Sequence, residues 1–207
     1  SGSFQCASKG MSLYFKGVPS HASDPGVGRN PAPAIARIIC ALPSLYRAED
    51  YNGLVLCTVI HVEIGSPAFG TSASSGVLRV TLRGQYEEEM NRLQTRLDNL
   101  AFGLASEYGL DYHTEFCDYF PESVNHSTSA EKIRKVCRSL GIKTHEFPHP
   151  KRGSEDFGYF TKAASGAYFN IGAGNITPHH TVTFDFPDEI IKTAVDVFYE
   201  LACDKEE

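Results

Sequence analysis

The chain has 207 residues, a length that allows one domain or two small ones. Hydrophobic residues make up 42% of it and charged residues 21%, which argues against disorder, and the absence of any run of eighteen apolar residues argues against a membrane span. The net charge of −6, from 19 Lys and Arg against 25 Asp and Glu, argues against nucleic-acid binding, because an acidic surface repels phosphates.

The hydrophobic pattern of the first 120 residues predicts alternating strands and helices. In chain order, the predicted elements are strand 11–16, helix 30–43 or a turn longer, strand 54–64, strand 77–83, helix 87–107 and strand 110–118. The order β-α-β-β-α-β is typical of a ferredoxin-like fold, an antiparallel sheet with two helices on one face.

The remainder of the chain has a different pattern. We predict helices at 130–140 and 154–163, a short buried strand at 167–172, and a final helix that opens at Pro187. One short strand among helices is half of an α/β layer, so this region should need a partner to build a sheet. The predicted fold class is α+β.

The start of the chain and its cysteines set two further expectations. Ser1-Gly2-Ser3 resembles a cloning or protease scar, so we assign residues 1–10 to scar and linker and expect a piece cut from a longer protein. The six cysteines show neither a CxxC pair nor zinc-finger spacing. Six free thiols in a reducing compartment, the cytoplasm, are therefore expected.

Several polar motifs allow more than one interpretation. His21 lies in a loop of small residues and is either a solvated side chain or a ligand-accessible one. His179-His180 is either a metal or proton-transfer site or a surface loop. Gly153-Ser154-Glu155-Asp156-Phe157 is typical of a capped helix start. The loop 65–76 contains neither a P-loop nor Gly-x-Ser-x-Gly, so a serine hydrolase is poorly supported.

Three segments are each weakly informative, but their order along the chain is specific. They are Ser20 to Pro25 with Gly28 and Asn30-Pro31-Ala32, then Gly153 to Phe157 with Phe160, then Gly172 to Gly174 with Pro178-His179-His180-Thr181 and Phe184-Asp185-Phe186. Together they resemble the zinc-dependent amidohydrolases and peptidases that include aminoacylases, hippurate hydrolase and indole-acetyl-amino-acid hydrolases.

This resemblance implies an α/β catalytic domain that carries two divalent metals, with a β-α-β-β-α-β lid inserted into it. Residues 11–120 would be the ferredoxin-like lid or dimerisation domain, and residues 121–207 the C-terminal part of the catalytic domain. The other metal ligands of the family precede the lid. The chain alone should therefore not bind the metals fully and should be inactive, because a catalytic zinc takes three protein ligands.

The resemblance also assigns site residues. His21 corresponds to a lid histidine that crosses a dimer interface and donates to the oxyanion. Arg83 corresponds to a lid arginine that holds a substrate carboxylate. His180 corresponds to the last metal ligand, whereas His179 has no ligand role, since adjacent side chains in an extended segment point to opposite faces. Relatives often have an Asn in the loop that precedes the arginine strand, and residues 68–72 contain none.

The function expected from the resemblance is hydrolysis of the amide bond of N-acyl amino acids or small peptides by a cytoplasmic homodimer. A metal, expected to be zinc, would activate the attacking water, and a glutamate base would come from the missing half. The alternative is a non-catalytic dimerisation or binding module left by truncation. A serine hydrolase is a more distant third.

Overall fold

A four-stranded antiparallel sheet and two helices form the larger part of the molecule. The computed structural model describes residues 2–177 and 181–203. The strands are β2 (Ala7–Lys16), β3 (Val55–Ile64), β4 (Ser75–Gly84) and β5 (Asp111–Phe120), in the order β3-β4-β2-β5. Helices α1 (Ala32–Leu45) and α2 (Glu87–Glu107) supply the rest of the core against one face. The predicted ferredoxin-like fold is confirmed.

A smaller unit contains the remaining elements. Strand β1 (Gly2–Gln5) pairs with β6 (Ser123–Asn125), and three helices follow: α3 (Ser127–Ser139), α4 (Phe157–Ala163) and α5 (Ile190–Cys203). Val136 and Cys137 of α3 pack with Val197 of α5 in a second, small core. No helix among the described residues is long and apolar enough to cross a bilayer.

The alternation of residue types in β4 explains the two faces of the sheet. Leu78, Val80 and Leu82 are buried against the helices, while Arg79 and Arg83 lie on the opposite face. This strand, flanked by β3 on one side and β2 on the other, is near the middle of the sheet. The predicted half-buried strand is confirmed, with one or two more residues at each end.

Both long helices begin and end close to their predicted bounds. The Asn30 side chain accepts a hydrogen bond from the Ala32 N–H at 2.9 Å, so the predicted cap of α1 is formed. On α2, Met90, Leu93 and Leu97 are completely buried, which confirms the predicted apolar stripe.

The N-terminal residues correct one sequence interpretation. Gly2 and Ser3, assigned to a scar, pair with Asn125 and Val124 in the β1-β6 sheet. Strand β2 begins at Ala7, four residues before the predicted strand, so the division proposed at residue 10 falls inside a strand. The reason is that Ala7 still pairs with Gly84 of β4, a contact that a local pattern does not reveal.

The strand predicted at 167–172 is a second correction, because these described residues form no strand. The Tyr168 N–H donates to Asn125 Oδ1 at 2.7 Å, and Asn125 Nδ2 donates to the Tyr168 carbonyl at 2.8 Å. A side-chain amide thus occupies the position that a neighbouring strand would take. The hydrophobic run indicates that this segment tends to be buried. It does not indicate whether another strand lies beside it to form a β-ladder.

Helix α5 presents apolar side chains on more than one face. Val197 packs against α3, whereas Val195, Phe198 and Tyr199 are 59%, 59% and 65% exposed. Together with Phe169 and Phe186, these exposed side chains line a shallow groove. Lys192 and Asp196 form an ion pair on the remaining side, so α5 is amphipathic with an apolar side wider than its contact with α3.

Leu93→Ala tests the core between α2 and the sheet. Because Leu93 is completely buried, its truncation should lower the free energy of unfolding by about 2–5 kcal/mol. Phe102→Ala on the same helix is the control: a larger side chain is removed, but Phe102 is 63% exposed, so the loss should stay near ~0.5 kcal/mol. Urea unfolding followed by circular dichroism measures both. Equal losses would contradict the assignment of the core.

Candidate active site

His21 lies at the tip of a loop that is paired with a second loop. The Ser20 N–H donates to Ser72 Oγ at 3.0 Å, and the Ser72 N–H donates to the Ser20 carbonyl at 2.9 Å. Ser20 is buried, while the adjacent His21 is exposed and forms an isolated β-bridge with Thr71. The pairing therefore holds the histidine in a fixed position on the surface.

Small residues are needed for this pairing. A Cβ added at Gly28 would lie 2.6 Å from Ser20 Oγ, and one at Gly17 would lie 1.8 Å from the Arg29 carbonyl oxygen. Neither position could carry a side chain without moving the loop. The glycines that the sequence indicates as loop formers thus have a steric role beside the candidate histidine.

The His21 ring makes its own hydrogen bonds within the loop. The Ser23 N–H donates to His21 Nδ1 at 3.2 Å, and Ser23 Oγ lies 2.7 Å from the same nitrogen. The exposed ring fits both interpretations of His21, a solvated side chain and a ligand-accessible one, whereas Ser23 had no assigned role.

Arg83 lies near the other end of β4 and contacts the segment that precedes α4. Its Nη1 donates to the Arg152 carbonyl at 3.0 Å and to Ser154 Oγ at 2.7 Å. Ser154 Oγ in turn donates to Ser8 Oγ at 2.6 Å. The arginine predicted to hold a carboxylate therefore also connects the sheet to the second unit.

Backbone hydrogen bonds extend the same connection. The Cys6 N–H donates to the Lys151 carbonyl at 3.1 Å, and the Lys151 N–H donates to the Phe4 carbonyl at 2.8 Å. Burial raises the pKa of the Cys6 thiol, against the opposing effect of the Arg83 and Arg152 charges. We call residues 4–8, Arg83 and residues 151–154 the junction.

The carboxylates of Glu155 and Asp156 follow the junction directly. The predicted helix starts later than expected, at Phe157, and the Asp156 side chain forms no cap hydrogen bond in this described segment. Ser154, the other candidate cap, bonds to the junction instead. Both carboxylates are exposed. The burial of Tyr168, and then the negative charges of these two carboxylates, raise the pKa of the Tyr168 hydroxyl. The capping interpretation of this motif is therefore wrong.

His21 and Arg83 lie at opposite ends of the sheet. Thr71, the partner of His21, precedes β4, and Arg83 is the penultimate residue of that strand. The eight steps from residue to residue between Ser75 and Arg83 span about 26 Å at the usual rise of a strand. A small substrate cannot contact both side chains of one chain.

The third predicted site residue, His180, lies outside the described residues, as does His179. Within residues 2–177 and 181–203, no three His, Cys, Asp or Glu side chains are grouped in a way that could hold a metal ion. The described side chains therefore do not complete a metal site.

Two arrangements were not predicted from the sequence. Ser8 and Ser154 are 146 residues apart, so no local pattern could connect them. Arg79, noted only as part of a strand alternation, lies 2.9 Å from His61 Nδ1 through its Nη1, on the outer face of the sheet. Only the register of β3 against β4 brings these two side chains together.

Comparison with known proteins identifies the family of this chain. A model of peptidase family M20/M25/M40 matches residues 12–204, so the chain belongs to this family. The resemblance noted in the sequence is confirmed.

Two curated relatives and one solved structure illustrate the match. The chain is 23% identical to the N-acetylcysteine deacetylase of Bacillus subtilis over 193 residues, 92% of this chain and 50% of that protein. It is 23% identical to the hippurate hydrolase of Campylobacter jejuni over 204 residues, 97% of this chain and 53% of that protein. A dinuclear metal-binding M20 peptidase of Bacillus subtilis superposes with a TM-score of 0.75 at 20% identity, over 97% of this chain and 50% of that one. The chain thus spans about half the length of these proteins.

Ser154→Ala tests the junction. It removes the acceptor for Arg83 and the donor to Ser8, so unfolding should become easier by about 1 kcal/mol, and amide hydrogen exchange at Cys6 and Lys151 should accelerate. Ser44→Ala is the matched control, because its hydroxyl bonds only to the nearby Ala41 carbonyl on an exposed surface. Equal protection of Cys6 and Lys151 in the two variants would show that Ser154 does not hold the junction.

Proposed function

We propose that this chain is the lid and the C-terminal catalytic segment of a metal-dependent amidohydrolase that cleaves the amide bond of N-acyl amino acids or small peptides. The observation that carries the proposal is the family match over residues 12–204. The names of two relatives, N-acetylcysteine deacetylase and hippurate hydrolase, support the substrate class, since both denote an N-acyl amino acid.

Such a substrate has a carboxylate and an acyl carbonyl, and the chain offers a group for each. We assign the carboxylate to Arg83, whose guanidinium lies beside Ser154 at the start of the catalytic segment. Nη1 is engaged in the junction, so a carboxylate would be bound by the Nη2 and Nε donors.

The acyl carbonyl would be bound by His21 of another copy. His21 is exposed beside the start of β4, and the strand from Ser75 to Arg83 alone spans about 26 Å. That separation supports a homodimer in which the histidine of one lid donates to the oxyanion that develops at the other subunit's site.

The six free cysteines agree with the reducing, cytoplasmic location that the sequence suggests.

The metal is the remaining part of the proposal. A structural neighbour is described as a dinuclear metal-binding peptidase, which supports divalent metals, expected to be zinc, in the complete active site. Metals of this kind polarise the carbonyl and activate the attacking water. His180 is the ligand that we assign to this chain. The exposed apolar side of α5 supports a further part of the catalytic domain packed against it.

The assignment of His180 is tested in the full-length protein. His180→Ala should lose bound metal and reduce hydrolysis of N-acyl amino acids by roughly 100-fold or more. Even the loss of a residue that only hydrogen-bonds to a metal ligand lowers metal affinity or activity by about 10–100-fold. His179→Ala is the adjacent control and should retain both. Metal content and turnover are measured together, with and without a chelator. Loss in His179→Ala alone would reverse the assignment, full activity under chelation would favour a serine hydrolase, and no hydrolysis by the metal-loaded wild type would favour the binding module.

The homodimer is tested at the edge of the lid. Strand β3 is an edge of the four-stranded sheet, and Ile60 on it is 62% exposed. We expect the chain to be dimeric at ~10–50 µM, a rough working range for such contacts. Ile60→Glu should raise the dissociation constant by about tenfold or more by placing like charges at the interface.

Phe102→Glu is the matched control for this prediction, since Phe102 is equally exposed but lies on α2. Sedimentation velocity measures all three proteins. A wild-type chain that sediments as a monomer over the whole range contradicts the dimer, and equal weakening by the two variants contradicts an interface at β3.

A further inference from the structure

We propose that Ser23 is a positioning residue that fixes the neutral His21 ring in the tautomer with its proton on Nε2. The tautomer is inferred from the geometry alone, and its role in catalysis rests on the proposed function. Ser23 is two residues from His21, in the same exposed loop, and both of its polar groups face Nδ1.

The backbone contact decides which nitrogen holds the proton. The Ser23 N–H, 3.2 Å from His21 Nδ1, can only donate, so Nδ1 must be the acceptor. A proton on Nδ1 would point at the hydrogen of that amide. The Ser23 hydroxyl, 2.7 Å from Nδ1, can donate to the same lone pair. In a neutral imidazole the proton is then on Nε2.

Neighbouring hydrogen bonds hold Ser23 where it makes these contacts. The Ala22 N–H donates to the Gly70 carbonyl at 3.1 Å, and the Asp24 N–H donates to the His21 carbonyl at 2.9 Å. The residues on both sides of Ser23 are therefore fixed by the second loop and by a tight turn. The orientation of the ring follows from the loop backbone as well as from the hydroxyl.

The consequence concerns the direction of the donor. Nδ1 is the nitrogen that contacts its own loop, and Nε2 of the exposed ring has no hydrogen-bond partner among the described residues. A histidine that stabilises an oxyanion must present an N–H, because a ring lone pair would repel the developing charge. Ser23 thus makes Nε2 of the neutral ring a hydrogen-bond donor.

The tautomer is measured on the ¹⁵N-labelled chain by long-range ¹H–¹⁵N NMR of the histidine rings, at a pH where they are neutral. His21→Ala assigns the signals. We expect the Nε2–H form in the wild type and in Ser23→Thr, which keeps both donors. In Ser23→Asp, the hydroxyl donor is replaced by a carboxylate that can only accept; a hydrogen bond from Nδ1–H to this charged group should outweigh the backbone contact and shift the tautomer ratio toward Nδ1–H by roughly tenfold or more. A wild-type ring protonated on Nδ1, or an unchanged ratio in Ser23→Asp, overturns the proposal.

Turnover by the full-length protein separates this proposal from the proposed function. Ser23→Asp should lower kcat with little change in KM, since the donor acts in the transition state, and Ser23→Thr should retain kcat. If His21→Ala is as active as the wild type, the catalytic role of His21 is wrong although the tautomer result stands. If His21→Ala is inactive and Ser23→Asp is fully active, the role of Ser23 is wrong.

Discussion

The structure depends on the position of β2, which is hydrogen-bonded to β4 on one side and to β5 on the other. Ser8 near its start and Cys6 just before it belong to the junction, and its last residue leads into the loop that carries His21. A strand paired on both edges bends little, so it acts as a spacer between the two ends of the sheet. The separation of His21 from Arg83, on which the proposed homodimer rests, follows from this one element.

Arg83 shows how the two units share a residue. Its place in the sequence belongs to the four-stranded sheet, where the alternation of β4 puts it on the face away from the helices. Its contacts lie in the segment that precedes α4, through Arg152 and Ser154. A carboxylate bound at this side chain would therefore be bound where the two units meet.

The sequence predicted those parts of the fold that are set by local physics. Period-two alternation located β4, and an apolar stripe located α2 with its exact bounds, because burial of one face imposes each pattern on neighbouring residues. Strand β1 and the Ser8–Ser154 contact depend on residues more than a hundred positions apart, and no local pattern records them. The segment 167–172 has the composition of a strand, but composition does not supply a neighbouring strand.

The pairing of β1 with β6 also affects how the chain folds. Gly2 meets Asn125, and Phe4 meets Lys151, so these contacts close loops of well over a hundred residues, whereas β3 and β4 are joined by a short connection. Closing a long loop costs more chain entropy, and contacts of large sequence separation form slowly. The β3-β4 hairpin can therefore form before the β2-β5 pairing and the N-terminal extension, whose partners lie about a hundred residues or more away along the chain.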